Sequence, residues 1–109
     1  MEKVSVLLEF AMFPTSDECR NGAGVSEQVS KVVKMVDESG LPYQLTPMGT
    51  IVEAQSVREA MEIVERAYAC LEECERVYAS LKLDIRKGKS DRLRQKIASV
   101  EAKIGKVVK

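Results

Sequence analysis

Residues 77–86 alternate strictly between two kinds of side chain. Every odd position is apolar, and every even position can form a hydrogen bond. Such alternation over ten residues predicts a β-strand with one buried face, because successive side chains of a strand point to opposite sides of the sheet. The chain is therefore expected to contain a sheet with one apolar and one polar face.

Three further strands are predicted before this one. Side chains of residues 4–12 alternate so that one face of the strand is more apolar than the other, and Pro14 ends the strand. Two short β-like runs, residues 43–46 and residues 50–54, flank a Pro-Met-Gly corner. This arrangement predicts a hairpin, followed later by the alternating strand.

Apolar residues at helical spacing predict three helices. The first covers residues 25–36, with Gly40 and Pro42 as its stop signal. The second begins near Val57, because Ser56 and Glu59 have the spacing of a capping box. A last helix, beginning near residue 91, follows the final strand.

The order βαββαβ, with an added C-terminal helix, predicts an α+β ferredoxin-like sandwich. Right-handed crossovers favour an antiparallel sheet with strand order 4-1-3-2 and the first two helices on one face. Val77, Leu81 and Ile85 are then expected to point toward those helices. The other face mixes apolar and charged residues and needs a partner, so we expect a homo-oligomer, either a dimer or a tetramer.

Length and charge narrow the class of protein. With 109 residues the chain fits one domain, residues 1–109, around one core. Its 17 basic and 17 acidic residues cancel, so it has no bulk attraction for nucleic acid. The first ten residues have too short an apolar run for a signal peptide or a membrane span. We expect a cytoplasmic protein that binds neither nucleic acid nor membrane.

The three cysteines, an odd number, indicate a reduced compartment rather than a disulfide framework. Cys70 and Cys74 are four apart on the second predicted helix, and Cys19 lies in a loop. A zinc site would need carboxylates to complete it, because the chain has no histidine. We expect no metal and no cofactor, and we interpret Cys70 and Cys74 as small residues at the edge of a buried stripe.

Catalysis is the weaker functional hypothesis. Glu9, Glu53, Lys82 and Asp84 are titratable, but no histidine is available as the usual general base. Cys19 has no visible base to activate it. The sequence therefore favours binding without turnover.

The hairpin corner, residues 47–50, is the predicted ligand site. It combines the thioether of Met48, the backbone of Gly49, which has no side chain, and the hydroxyl of Thr50. Ser26 at the start of the first helix and Glu53 in the second hairpin strand are expected nearby. Ligand sites need apolar walls with a few polar groups that fix orientation. The alternative is that Glu53 is an ordinary strand acid and Thr50 a turn hydroxyl.

Lys82 has two open interpretations. It either contacts the ligand or forms a cross-strand ion pair with Glu9 that a second subunit partly buries.

Nearly the whole chain resembles the small thiamine-binding or hydroxymethylpyrimidine-binding proteins related to YkoF. Two groups of residues carry the resemblance, the hairpin set Tyr43, Met48, Thr50 and Glu53 and the strand set Ser80, Lys82, Leu83 and Arg86. It implies that a homo-oligomer, often a tetramer, binds thiamine or its hydroxymethylpyrimidine part without turnover, in thiamine salvage, transport support or sensing. The predicted ligand-binding residues are Ser26, Met48, Gly49, Thr50, Glu53 and Lys82.

One alternative for the whole protein stays open. A ferredoxin-like regulatory or scaffolding module would bind another small metabolite or a protein partner.

Overall fold

The computed structural model describes residues 3–19 and 26–107. Within these residues the strands are β1 (Val4–Pro14), β2 (Tyr43–Thr46), β3 (Gly49–Ala54) and β4 (Val77–Lys87). The α-helices are α1 (Ser26–Glu38), α2 (Val57–Ala69) and α3 (Arg92–Ile104), and a 3-10 turn, Asp17–Cys19, follows β1. The predicted order of elements, including the C-terminal helix, is confirmed.

The four strands form one antiparallel sheet in the order β2-β3-β1-β4. This order is the predicted 4-1-3-2 read from the opposite edge, so the fold class is confirmed as α+β. β1 pairs with β4 without interruption from Val4↔Lys87 to Pro14↔Val77. The two faces of β1 have different neighbours: α1 and α2 cover one face, and the start of α3 reaches the other at Ser5.

The hydrophobic core lies between α1, α2 and one face of the inner strands. Every second residue of β1 from Val6 to Met12 is buried in it. The remaining core residues come from α1, β3, α2 and the segment after α2. They are Val32, Met35, Val36, Val52, Ala54, Ala60, Ile63, Ala67 and Leu71.

The predicted start of α2 at Val57 is confirmed. The Ser56 side chain accepts a hydrogen bond from the Glu59 N–H at 3.0 Å. The Glu59 carboxylate in turn accepts one from the backbone N–H of Gln55, at 2.8 Å. The capping box therefore reaches one residue further back than its usual pattern.

The apolar residues of β4 are less covered than the alternation predicts. Leu81 and Ile85 lie on the helix-facing side, opposite Phe10 and Val6, but 41% of Leu81 and 53% of Ile85 remain exposed. The reason is that β4 is the edge strand, while α1 and α2 pack over the inner strands.

The cysteine expectation is wrong. Cys19 and Cys74 form a disulfide with a Cα–Cα distance of 5.8 Å, and both residues are buried. α2 ends at Ala69, so Cys70 and Cys74 do not share a helix, and Cys70 is a free thiol. The register explains the bridge. Pairing of Pro14 with Val77 brings the end of β1 beside the start of β4. The segment after β1, which contains Cys19, therefore meets the segment before β4, which contains Cys74. Spacing in the sequence does not reveal this encounter.

Candidate ligand-binding site

A cavity of about 250 Å³ lies between α1 and the end of the β2–β3 hairpin. The residues that line it are all uncharged, and most are apolar. They are Phe10, Ala11, Met12, Phe13, Val29, Val32, Val33, Leu45, Thr46, Pro47, Met48, Gly49 and Thr50.

Thr50 is the most deeply buried polar residue of this lining. It is only 6% exposed and pairs with Phe10 on one side and Leu45 on the other. Its hydroxyl forms no hydrogen bond with any residue in 3–19 or 26–107. This hydroxyl is therefore available to a molecule that enters the cavity.

The hairpin corner is closed by the hydroxyl of Thr46. This oxygen donates to the carbonyl of Gly49 at 2.9 Å and accepts from the backbone N–H groups of Met48, at 3.2 Å, and Gly49, at 3.1 Å. Met48, the residue at the tip, is 85% exposed at the rim of the cavity.

Gly49 has a packing role beside the cavity. A Cβ atom at this position would lie 2.9 Å from the carbonyl oxygen of Phe10. The absent side chain therefore lets β3 approach β1 closely at the hairpin end.

Ser26 is the first residue of α1, but its side chain lies outside the described part of the structure. Val29, one helical turn later, lines the cavity. α1 therefore reaches the hairpin corner from Val29 onward, and a contact between Ser26 and a ligand stays a prediction.

Glu53 lies on the opposite face of the sheet and caps α3. One carboxylate oxygen accepts from the Ser5 hydroxyl at 2.8 Å and from the Arg92 backbone N–H at 3.2 Å, and the other accepts from the Leu93 N–H at 3.3 Å. The residue at the usual capping position, Asp91, has φ 55° and makes no side-chain cap hydrogen bond. Glu53, 8% exposed, supplies the missing acceptors.

The hydrogen bonds to Glu53 also affect its ionisation. Burial by itself raises the pKa of the Glu53 carboxyl group. The hydroxyl of Ser5 and the N–H groups of Arg92 and Leu93 outweigh burial, so the pKa lies below its usual value. The capping group is therefore a carboxylate at neutral pH.

Arg92 fixes the same end of α3 to the sheet. Its guanidinium donates to the backbone carbonyls of Ser5 and Asp84, each at 3.1 Å, and pairs with the Asp84 carboxylate. A second cavity, of about 480 Å³, adjoins this cluster and is bordered by Lys3 and Lys89 as well as Glu53.

The structure brings together only part of the predicted set. Met48, Gly49 and Thr50 meet at the cavity, whereas Glu53 is three residues from Thr50, about 10 Å along the strand, and on the other face. Lys82 is on β4, 85% exposed, with its amine 3.8 Å from the Glu9 carboxylate. The odd separation of Thr50 and Glu53 was the sequence signal that these two side chains diverge.

Neither a membrane span nor a metal cluster is found in the described parts of the chain. Among residues 3–19 and 26–107, no helix is both long and apolar enough to cross a bilayer. The same residues contain no group of three or more Cys, Asp or Glu side chains that could hold a metal ion.

Comparison with known proteins shows the family of this chain. The family model described as thiamine-binding protein matches residues 8–101. The chain belongs to the thiamine-binding protein family. A member of the UPF0045 group from Mycobacterium bovis is 38% identical over 99 residues, which cover 90% of this chain and 93% of that protein.

Solved structures share the fold. A hypothetical protein of Methanocaldococcus jannaschii has a TM-score of 0.72 and 28% identity, covering 88% of this chain and 95% of its own. A Thermotoga maritima protein, whose name proposes a role in thiamine biosynthesis or salvage, has a TM-score of 0.64 and 19% identity, covering 88% and 98%. At that identity the second likeness concerns the fold alone.

Proposed function

We propose that the protein binds thiamine or its hydroxymethylpyrimidine part, without transforming it, in the cavity between α1 and the hairpin. The observation that carries the proposal is the apolar cavity, whose lining includes Thr50, a residue 6% exposed with no side-chain hydrogen bond to residues 3–19 or 26–107. Membership of the thiamine-binding protein family supplies the class of ligand.

The cavity suits the pyrimidine ring better than the whole vitamin. Its apolar walls, including Phe10 and Val32, offer flat contact area, and a hydroxyl can donate to a ring nitrogen or accept from an exocyclic amine. Drug-sized ligands occupy pockets of roughly 300–1,000 Å³, so about 250 Å³ fits a smaller group. The cationic thiazolium of thiamine would stay outside, because no carboxylate lines the cavity to compensate its charge.

The predicted site residues take different roles in this proposal. Met48 contacts the ligand at the rim, Thr50 bonds to the ring, and Gly49 shapes the corner. Ser26, the first residue of α1, stays a predicted contact. Glu53 holds α3, and Lys82 pairs with Glu9, so neither of them contacts the ring.

The same lining supports binding without turnover. General acid or base catalysis needs a titratable group within hydrogen-bond reach of the substrate. The described residues around the cavity include none, so we propose a carrier or sensor of the ligand, in thiamine salvage, transport support or sensing.

Calorimetric titration with hydroxymethylpyrimidine and with thiamine tests the proposal. Thr50→Val keeps the shape and removes the hydroxyl, so binding should weaken by about two- to tenfold, the range expected for one neutral hydrogen bond. Thr15→Val is the matched control, because the Thr15 hydroxyl bonds to the Arg76 carbonyl, away from the cavity lining.

Two results would overturn the proposal. The absence of binding heat at millimolar ligand would reject the ligand class. Unchanged affinity of Thr50→Val, with wild-type affinity in the control, would move the site elsewhere.

We also propose that the protein self-associates. The outer edge of β4 has no strand beside it in the described structure, and unpaired edges of long strands favour pairing with another chain.

A further inference from the structure

The second cavity, of about 480 Å³, has no role in the function proposed above. It adjoins Val4 and Ser5 at the start of β1, whereas the hairpin cavity adjoins the end of that strand. Its volume falls within the range of roughly 300–1,000 Å³ that is usual for small-molecule sites. A ligand of metabolite size therefore fits.

Two backbone hydrogen bonds hold the walls of this cavity together. The N–H of Gly88 donates to the carbonyl of Lys3 at 2.7 Å, which joins the turn between β4 and α3 to the start of β1. The N–H of Glu53 donates to the carbonyl of Pro42 at 2.9 Å, which joins the segment before β2 to β3. The walls are therefore in place before a ligand arrives, and this lowers the entropy cost of binding.

One part of the lining is apolar. Val4 and Leu41 are partly buried against the hydrophobic core, and Pro42 and Ala54 complete this part of the wall. Apolar walls favour the carbon skeleton of a ligand, because its surface is removed from water there.

Two lysines border the cavity from distant segments of the chain. Lys3 precedes β1, and Lys89 directly follows Gly88, whose N–H bonds to the Lys3 carbonyl. Both lysines are exposed, and neither forms an ion pair with a residue in 3–19 or 26–107. Two ammonium groups beside one cavity attract an anion.

The two acids of the lining differ in how far their charges are compensated. The Glu53 carboxylate accepts three hydrogen bonds and is attracted by the nearby Arg92 guanidinium. Asp91 is exposed, makes no side-chain cap hydrogen bond, and forms no ion pair within the described part of the chain. The uncompensated charges of the described lining are therefore two ammonium groups and one carboxylate.

The surrounding part of the chain adds positive potential. Residues 86–107 carry eight basic and two acidic side chains, although the whole chain has a net charge of zero. They form the end of β4, the turn that borders the cavity, and α3. An excess of positive charge around a cavity raises the local concentration of anionic ligands.

We propose that this cavity is a second binding site, for a small phosphate monoester. Its phosphate would lie between Lys3 and Lys89, and its apolar body would cover Leu41 and Pro42. Ser90, which also lines the cavity, would donate its hydroxyl to the phosphate. The dianion of a phosphate monoester matches two ammonium groups better than a carboxylate with one charge. The site is independent of the ligand proposed for the hairpin cavity.

Matched probes separate the contributions of the charge and of the apolar body. Phenyl phosphate and benzoate share a phenyl ring and differ in charge, and inorganic phosphate carries the charge without the ring. Calorimetric titration at about pH 7.5, where a phosphate monoester is mostly a dianion, should show the tightest binding for phenyl phosphate. Added salt should weaken this binding, because exposed charges are screened.

Charge variants locate the site. Lys3→Gln/Lys89→Gln should weaken the binding of phenyl phosphate about tenfold, since two charged hydrogen bonds to exposed groups are lost. Asp91→Asn should strengthen it, because the repelling carboxylate is removed and asparagine also tolerates the φ of 55° at this position. Lys96→Gln/Lys103→Gln is the matched control, with the same change of net charge at exposed positions of α3 outside the lining. It should change the affinity by about twofold at most.

Four results would overturn the proposal. They are no binding of phenyl phosphate at millimolar concentration, equal losses in the two double-lysine variants, equally tight binding of inorganic phosphate, and tighter binding of benzoate.

Thr50→Val separates this site from the hairpin cavity. The variant should keep the wild-type affinity for phenyl phosphate, and a loss would show that the probe occupies the hairpin cavity, against the proposal. If phenyl phosphate binds as expected but hydroxymethylpyrimidine and thiamine do not bind, the second site stands and only the proposed function is overturned.

Discussion

The carboxylate of Glu53 accepts the backbone N–H of Arg92 at 3.2 Å across 39 positions of sequence. A side chain from a central part of the sheet thereby supplies a cap to a helix that follows the last strand. Its second oxygen accepts the N–H of Leu93, so two of the free donors of the first turn are satisfied. This residue and Arg92 bond the first turn of α3 to the sheet.

Replacing Glu53 with Gln should destabilise α3 more than it affects the ligand. The amide keeps one acceptor but loses the charge, and hydrogen bonds to charged groups contribute about 1.5–3 kcal/mol. We expect a loss of that size in the free energy of urea unfolding, with ligand affinity unchanged in calorimetry. Glu62→Gln, exposed on α2, is the control. A ten- to hundredfold loss of affinity in a folded Glu53→Gln variant would instead put this carboxylate in contact with the ligand.

The same carboxylate should make stability depend on pH. Its folded pKa lies below the ordinary value, so its contribution is fully present above the unfolded pKa of about 4.3 and is lost as pH falls through the lower folded pKa. The difference in unfolding free energy between wild type and Glu53→Gln should therefore shrink as the pH falls from about 6, above the unfolded pKa, to about 3, below it. A difference that stays constant over this interval would show that the charge of Glu53 does not hold the helix.

Removing the disulfide should lower stability without altering the hairpin cavity. Cys19 and Cys74 are 55 residues apart, and loop-closure entropy for such a loop corresponds to about 4 kcal/mol. We expect Cys19→Ala/Cys74→Ala to lose up to this amount in urea unfolding, while Cys70→Ala loses little. If the double variant were as stable as the wild type, the crosslink would not restrict the unfolded chain.

Gly49→Ala should strain the end of the hairpin. The added carbon would lie 2.9 Å from the backbone oxygen of Phe10, and that atom can move only with the strand. Overpacking of this kind costs about 1–3 kcal/mol. Thermal unfolding should show the loss, and Ser80→Ala, exposed on β4, should not. Wild-type stability of Gly49→Ala would mean that β1 and β3 separate easily here.

The order of elements was readable from the sequence because each one has its own local signal. Alternation in residues 77–86 marked β4, and the Ser56 and Glu59 spacing marked the start of α2. Strand order followed from the handedness of the connections. None of these inferences needs a contact between distant side chains.

The site was only partly predictable for the opposite reason. Met48, Gly49 and Thr50 are consecutive, and a turn keeps them together at the cavity. The capping of α3 by Glu53 and the bond between Cys19 and Cys74 join residues 39 and 55 positions apart. Contacts of this kind depend on how tertiary packing brings distant segments of the chain together, and a local sequence pattern does not contain that information.

The three hydrogen bonds of the Thr46 hydroxyl have a consequence for the energetics of recognition. They hold the turn in one conformation before any ligand arrives, so binding there would not have to order the backbone. The loss of conformational entropy would then fall mainly on the Met48 side chain, which is free in solvent at the tip. Association rates should accordingly be set by diffusion and orientation rather than by a slow rearrangement of the corner.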